Sequence, residues 1–293
     1  MVTLTICRNT QKFSSWLYRQ CLQHGVQFIF NHKLSAVTSN QDYDLTSVSV
    51  QHCHDKESAE QRIRCQNVVF AAGPWSAPLF KRLYKHSPLQ LENNITAAHW
   101  YRLQVPIDMS EQENVGLVFA DMAVADEKLD DKVTIVGQSA SRYLSITSVG
   151  TAPQNPNLNY LDALEHVEND PRLLRHIKKL TAKRLNLGDN DPFETEIGAK
   201  SGLEFVGTSD LQLPVIDKVS ASRLGRVCRG HEDKRLCGIW LCFGFGMYGT
   251  TLAPGAARVL CRRMFGEKSG INDRALEIPG SAQAAASHTG MDV

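Results

Sequence analysis

Gly244, Gly246 and Gly249, followed by the paired hydroxyls of Thr250 and Thr251, are the residues whose type and spacing most directly suggest chemistry. Glycines there let a ligand approach the main chain with no Cβ in the way. The apolar run Gly238–Phe243 reads as a buried strand leading into them. Leu252 to Met264 reads as the helix leading out, with Ala256, Val259, Leu260 and Met264 available for one face. Strand, glycine turn and helix together point bare backbone N–H groups at an anion. Thr250 and Thr251 are placed to cap the turn. The glycines also satisfy G-x-G-x-x-G, but a dinucleotide fingerprint needs a second strand ending in an acid about 20 residues on. Here Glu267-Lys268-Ser269-Gly270 and a small polar tail follow instead. The better reading is a closing helix whose N-terminus faces a ligand held by other parts of the fold. A glycine-rich turn without a ligand is the plainer alternative.

Other candidates are weaker. His52-Cys53-His54 carries metal-ligating types, yet in a strand Cys53 would face away from the two histidines, and no fourth ligand stands at zinc spacing. No metal is expected. Tyr143 and Tyr248 could line a substrate pocket, Tyr248 the better placed because it lies in the glycine turn.

The chain has 293 residues, 42% of them apolar, and a net charge of +1. That is enough for one large or two modest domains. The balance offers nothing for nucleic acid or an acidic membrane surface, and no run is long enough to span a bilayer. The start, Met1 to Arg8, has no secretory apolar segment, so the chain reads as intracellular, with the cytoplasm the default. The eight cysteines form no C-x-x-C pair and suggest no disulfide framework.

The elements that must position the glycine turn follow from periodicity. Phe13 to His24 reads as an amphipathic helix with Phe13, Trp16, Leu17, Cys21 and Leu22 on one face, ended by Gly25. Val26–Phe30 reads as a strand, Leu34–Val37 as a short second one, Leu45–Val50 as a third alternating Leu45, Val48 and Val50, and Ile63–Phe70 as a fourth after a charged hairpin. Pro74-Trp75-Ser76 opens a helix to Leu83. From His99 to Val149 short alternating runs predict an antiparallel sheet (His99–Val105, Val115–Phe119, Lys132–Val136, Arg142–Thr147). Beyond it come a loop over Thr151–Tyr160, a basic-faced helix from Asp170 to Leu185, strands at Phe193–Ile197 and Gly202–Val206, and a turn into an apolar strand over Thr208–Ile216. The tail from Gly270 is small and polar and reads as disordered.

Three stretches in order resemble one family. Val68-Val69-Phe70-Ala71-Ala72-Gly73-Pro74-Trp75-Ser76, Thr208 to Ile216 and Gly244 to Ala257 are similar to motifs of the FAD-dependent oxidoreductases of the D-amino acid oxidase, glycine oxidase and sarcosine oxidase type. The resemblance runs over roughly residues 10 to 266. It implies an α/β (α+β) fold, a partial Rossmann-like FAD-binding domain interleaved with an antiparallel substrate domain. The expected boundaries are 1–95 for the first part of the flavin domain, 96–205 for the substrate domain, 206–269 for the closing part and 270–293 for the tail. By position, Leu34 would pass the adenine, Ala72, Gly73 and Trp75 would line the cofactor, and Gly246, Met247, Tyr248, Gly249, Thr250 and Thr251 would sit at the isoalloxazine. The implied partner is a small amine or amino-acid-like molecule, oxidised at a C–N bond. No general base is named, because hydride transfer to flavin needs none in principle.

The chain departs from the family pattern in four places. The family's opening strand, G-x-G-x-x-G and second-strand acid have no counterpart before Phe13, so the N-terminal βαβ unit is expected to be missing. Where relatives carry a carboxylate-clamping Arg after Gly-Leu, Gly202-Leu203 is followed by Glu204, which would suit a cation or pair with a neighbouring base. Asp217 replaces the closing glycine of the second motif. No cysteine lies between Cys65 and Cys228 to bond flavin covalently. Two functions follow: a flavin oxidoreductase, inactive if the truncation removes its cofactor grip, or a cofactor-free remnant with an interaction or structural role.

Overall fold

The structure, a computed structural model, describes residues 10–39, 45–55, 58–91, 93–104, 132–138, 143–149, 200–209, 213–224, 238–271 and 274–278. The chain divides into two compact units, one of residues 1–94 and 207–293, the other of residues 95–206.

The first unit is built on a three-stranded sheet, β4 (Asn67–Phe70), β10 (Gly238–Phe243) and β9 (Val215–Val219), with β10 in the centre. β10 runs parallel to β4 and antiparallel to β9. Its sequence is apolar throughout because both faces are covered. Ile239, Leu241 and Phe243 enter one cluster with Phe70, Ala77, Phe80 and Val215. Trp240 and Cys242 face the other way, onto Ile216, Ala256, Val259 and Leu260. The second cluster is roofed by helix α3 (Gly249–Met264), which buries Ala256, Val259 and Leu260 as its 3.6 period requires. The first is roofed by α2 (Ser76–Leu83), through Ala77 and Phe80, and by residues of a separate antiparallel meander, β1 (His32–Ser39), β2 (Leu45–His52) and β3 (Gln61–Arg64). Full burial of each large side chain here stabilises by roughly 1.5–3 kcal/mol.

The second unit carries a four-stranded sheet in the order β6 (Lys132–Gln138), β7 (Tyr143–Val149), β5 (Asn93–Gln104), β8 (Lys200–Ser209). β7 pairs antiparallel with both β5 and β6. The expected pieces Val115–Phe119, Thr151–Tyr160, Asp170–Leu185 and Phe193–Ile197 lie outside the described residues.

Several expectations are corrected. Val26–Phe30 has strand composition but is no strand, and Val26, Phe28, Ile29 and Phe30 are exposed. The preceding helix α1 (Thr10–Gln23) forms, and Gly25 closes it at φ 80° in a Schellman motif, Val26 N–H donating to Cys21 O and Gly25 N–H to Leu22 O. Its apolar residues Trp16, Leu17 and Leu22 are nevertheless exposed. On β2 the buried side is Leu45, Ser47 and Ser49, one residue out of step with Val48 and Val50. Ser47 tolerates burial because Arg62 Nε donates to its hydroxyl at 2.7 Å. Ile63–Phe70 is two strands in two sheets, β3 and β4. Asn67 anchors the second, its Oδ1 accepting from Gly238 N–H at 3.0 Å and Trp240 Nε1 at 2.9 Å. Part of the expected tail is ordered: Arg274–Leu276 forms a 3-10 turn and Ile278 is 2% exposed. No helix among the described residues is long and apolar enough to cross a membrane.

Candidate functional site

β4 and β10 lie side by side with the same polarity, Val68 opposite Ile239 and Phe70 opposite Leu241. They release the chain at the same edge of the sheet, and they do so in the same way. After β4 the chain passes Ala71 and Ala72, turns at Gly73 (φ 55°), makes one 3-10 turn (Gly73–Trp75) and enters α2. After β10 it turns at Gly244 (φ 84°) and Gly246 (φ 56°), makes one 3-10 turn (Gly246–Tyr248) and enters α3. The Gly73–Trp75 turn and α2 both touch β10.

Neither helix is capped by a side chain. The N-cap of α2 is Trp75 and that of α3 is Tyr248, both without a side-chain cap hydrogen bond. Each helix start carries a partial positive charge, less exposed at α2, where Ser76 N–H already donates to Gly73 O and Pro78 has no N–H. Two such ends follow the carboxyl ends of adjacent parallel strands, where open α/β sheets take their ligands. Acidic residues are absent from both first turns. The arrangement suits an extended anionic or electron-rich group lying across the strand ends.

The sequence-predicted residues fall into three sets. Ala72, Gly73 and Trp75 belong to the first turn, Ala72 exposed and the other two half-buried. Gly246, Met247, Tyr248, Gly249, Thr250 and Thr251 belong to the second, with Tyr248 65% exposed and both threonines open to solvent. The threonines do not cap the turn. The helix begins at Gly249, so they sit inside its first turn, not ahead of it. Leu34 lies elsewhere, on β1, where it leans on the first core cluster and its carbonyl accepts from Arg82 Nη2 at 3.0 Å. Glu204 and Tyr143 lie on β8 and β7 of the other unit, and their side chains are outside what is described.

Sequence reasoning missed Ser76. It is fully buried at the start of α2, and its hydroxyl has no hydrogen-bond partner. A buried hydroxyl without a partner costs about 1–3 kcal/mol, so its place in the W-S pair was the available signal. The role of Asp217 was likewise hidden. Its Oδ2 accepts from Ile278 N–H at 3.0 Å, and its Oδ1 accepts from Lys218 N–H at 2.8 Å and lies 3.5 Å from Arg263 Nη1. Burial pushes its carboxyl above the ordinary range, the two amides and Arg263 opposing that shift and Glu277 adding to it. Two residues before the second glycine turn, burial lifts the Cys242 thiol to about 11, with Cys261 adding to the effect. Cys242 is therefore a packing residue and no nucleophile at neutral pH. His52 is engaged locally: its Nδ1 accepts from the amides of His54 at 3.3 Å and Asp55 at 3.1 Å. Among the described residues no group of three or more His, Cys, Asp or Glu could hold a metal ion.

The sequence model of the FAD dependent oxidoreductase family matches residues 5–263. The chain belongs to that family. Membership implies FAD as the cofactor. The fold agrees. A modified fructosyl peptide oxidase from Aspergillus nidulans is similar at TM-score 0.58 and 11% identity, over 92% of this chain and 58% of that one. L-proline dehydrogenase from P. horikoshii is similar at 0.57 and 8%, over 91% and 58%. Glycine oxidase from Geobacillus kaustophilus is similar at 0.53 and 13%, over 84% and 51%. The chain thus spans little more than half the length of these structures. No curated protein matches it in sequence.

The described residues fit the group. Open space surrounds the position a Cβ would take at Gly73, and two uncapped helix starts flank the strand ends.

Proposed function

We propose that this flavin-family chain contributes the closing part of an FAD site and serves oxidation of a C–N bond in a small amine or amino-acid-like substrate. The observation that carries the reading is the pair of matched strand–glycine–helix units at one sheet edge. Gly73–Trp75 would hold one stretch of the cofactor against β4, Ala72 and Gly73 keeping the main chain accessible. Gly246–Thr251 would face the isoalloxazine, and the start of α3 would stabilise negative charge building there. When bound, the flavin supplies the two-electron acceptor. The remaining work of this chain is to orient the ring and exclude water. The names of the neighbours, which refer to glycine, L-proline and fructosyl peptide, support a substrate with a carbon–nitrogen bond. Glu204, where relatives of the resemblance place an arginine, supports a cationic substrate over a carboxylate-anchored one, and Tyr143 and Tyr248 are the aromatic candidates for substrate contact.

Titration of the purified chain with FAD, followed by quenching of flavin fluorescence, tests the first half. Saturable binding that Gly246→Val abolishes is expected. A colourless, cooperatively folded chain that never saturates would overturn the reading in favour of a cofactor-free protein. Anaerobic bleaching of the flavin band by a primary or secondary amine, and not by a simple carboxylate, tests the second half.

A further inference from the structure

A second concavity lies along the flank of α3. It is a groove of about 580 Å³ between the helix, the Leu213–Pro214 segment and the strap at residues 269–271. That is within the range of small-molecule sites, about 300–1,000 Å³. None of Gly246–Thr251 lines it. Its floor is the buried trio Ile216, Ala256 and Val259, and its walls include the exposed Leu213, Leu252 and Ile271.

Three observations say what would fill it. First, Gly255 lies inside α3 and lines the groove, yet nothing lies within 4 Å of where its Cβ would be. Packing within the described residues does not demand a glycine there, and a helix interior is weakened by one. A side chain at that position would narrow the groove. Second, among the described residues the charged ones lining the groove are Arg258 and Arg262, and α3 contains no acid. Third, these arginines are differently occupied. Arg262 Nη1 donates to the carbonyls of Ser269 at 2.7 Å and Lys268 at 3.5 Å, holding the strap that forms the far wall. Arg258, one turn earlier and so a neighbour on the same helix side, is exposed and has no such partner among the described residues. An apolar trough ending at an uncommitted guanidinium matches an apolar body with a carboxylate head.

We propose that this groove is a second site, separate from the flavin site, for an apolar carboxylate whose body lies over Leu252, Gly255 and Val259 and whose head pairs with Arg258. The site does not depend on the flavin reading.

Calorimetric titration of the full chain with decanoate, decanol and decyltrimethylammonium tests it, with and without FAD. Decanoate should bind one per chain, at least tenfold tighter than the other two, and equally in both conditions. Gly255→Leu, which also favours the helix, should weaken decanoate tenfold or more. Arg258→Glu should erase the preference for decanoate over decanol. Ile271→Asp, on the exposed strap, provides a second reading of the wall should the leucine variant fold poorly. The proposal is overturned by absence of saturable binding, by equal affinity for decanol, by indifference to Arg258→Glu, or by competition between decanoate and FAD. It is overturned too if sedimentation shows a dimer that decanoate cannot dissociate, since the groove would then be covered by a second copy.

Discussion

The β4–α2 and β10–α3 units share a design and differ in their support. β10 has a neighbour on each side and both faces covered. Among the described residues β4 pairs only with β10, and its Val69, opposite Trp240, is 36% exposed. Their glycines differ in the same sense. A Cβ at Gly244 would stand 3.3 Å from both Cβ and N of Ser209, whereas one at Gly73 would meet nothing. One turn is locked by its surroundings and the other is merely permitted. A cofactor lying across both would therefore find one wall preformed and gain most of its induced order at the other.

Substitutions in the two units can break that comparison. Leu241→Ala, at a fully buried position on β10, should cost roughly 2–5 kcal/mol in denaturant unfolding. Val69→Ala, one strand away, should cost less than about 1 kcal/mol. Comparable losses would show that β4 is as deeply held as β10. Gly244→Val combines a positive φ with a tight approach to Ser209 and should cost about 3 kcal/mol. Gly73→Ala, strained only in φ, should cost about 1 kcal/mol, and a thermal melt of the two variants side by side reads the difference.

The carboxylate of Asp217 sharpens the picture through pH. Its folded-state pKa lies above the ordinary 3.8 because burial disfavours the charge. The folded chain therefore binds that proton more tightly than the unfolded chain does. The group's contribution is most favourable below 3.8 and declines as pH rises through the window between 3.8 and the raised folded value. Asp217→Asn keeps an acceptor for Ile278 N–H and should flatten this part of a stability–pH curve measured by denaturant midpoints. An unchanged slope would place the titration elsewhere. The smallest effect expected is chemical. Iodoacetamide at pH 8 should modify the exposed Cys53 and Cys261 while leaving Cys242 intact in the folded chain, as read by peptide mass.

The central unit was legible because its signals are local. An apolar run of this length between glycines is too short for a helix and reads as a strand buried on both faces, and the period of Ala256, Val259 and Leu260 names the inward side of α3. What escaped depends on distant partners. The inward serines of β2 make sense only once Arg62 reaches Ser47, and the break between β3 and β4 only once Asn67 is seen to hold Gly238 and Trp240. Val26–Phe30 has the composition of a strand, but propensity supplies no neighbour, and its rings pack instead on each other, Phe28 on Tyr18 at 4.6 Å and on Phe30 at 5.9 Å. The threonines of the second turn were misassigned because a 3-10 entry shifts the helix start by three residues, from Leu252 to Gly249. The two turns were readable from their glycines; the burial of Ser76 was not, since burial is a property of the fold.

Asp217 grips Ile278 through its amide and not through its side chain. The polar part of that attachment is blind to which amino acid follows Glu277, with one exception. Proline at 278 has no hydrogen to give, so Ile278→Pro would strip Oδ2 of this bond and unseat the segment beside the sheet, while many apolar replacements would leave the tether intact.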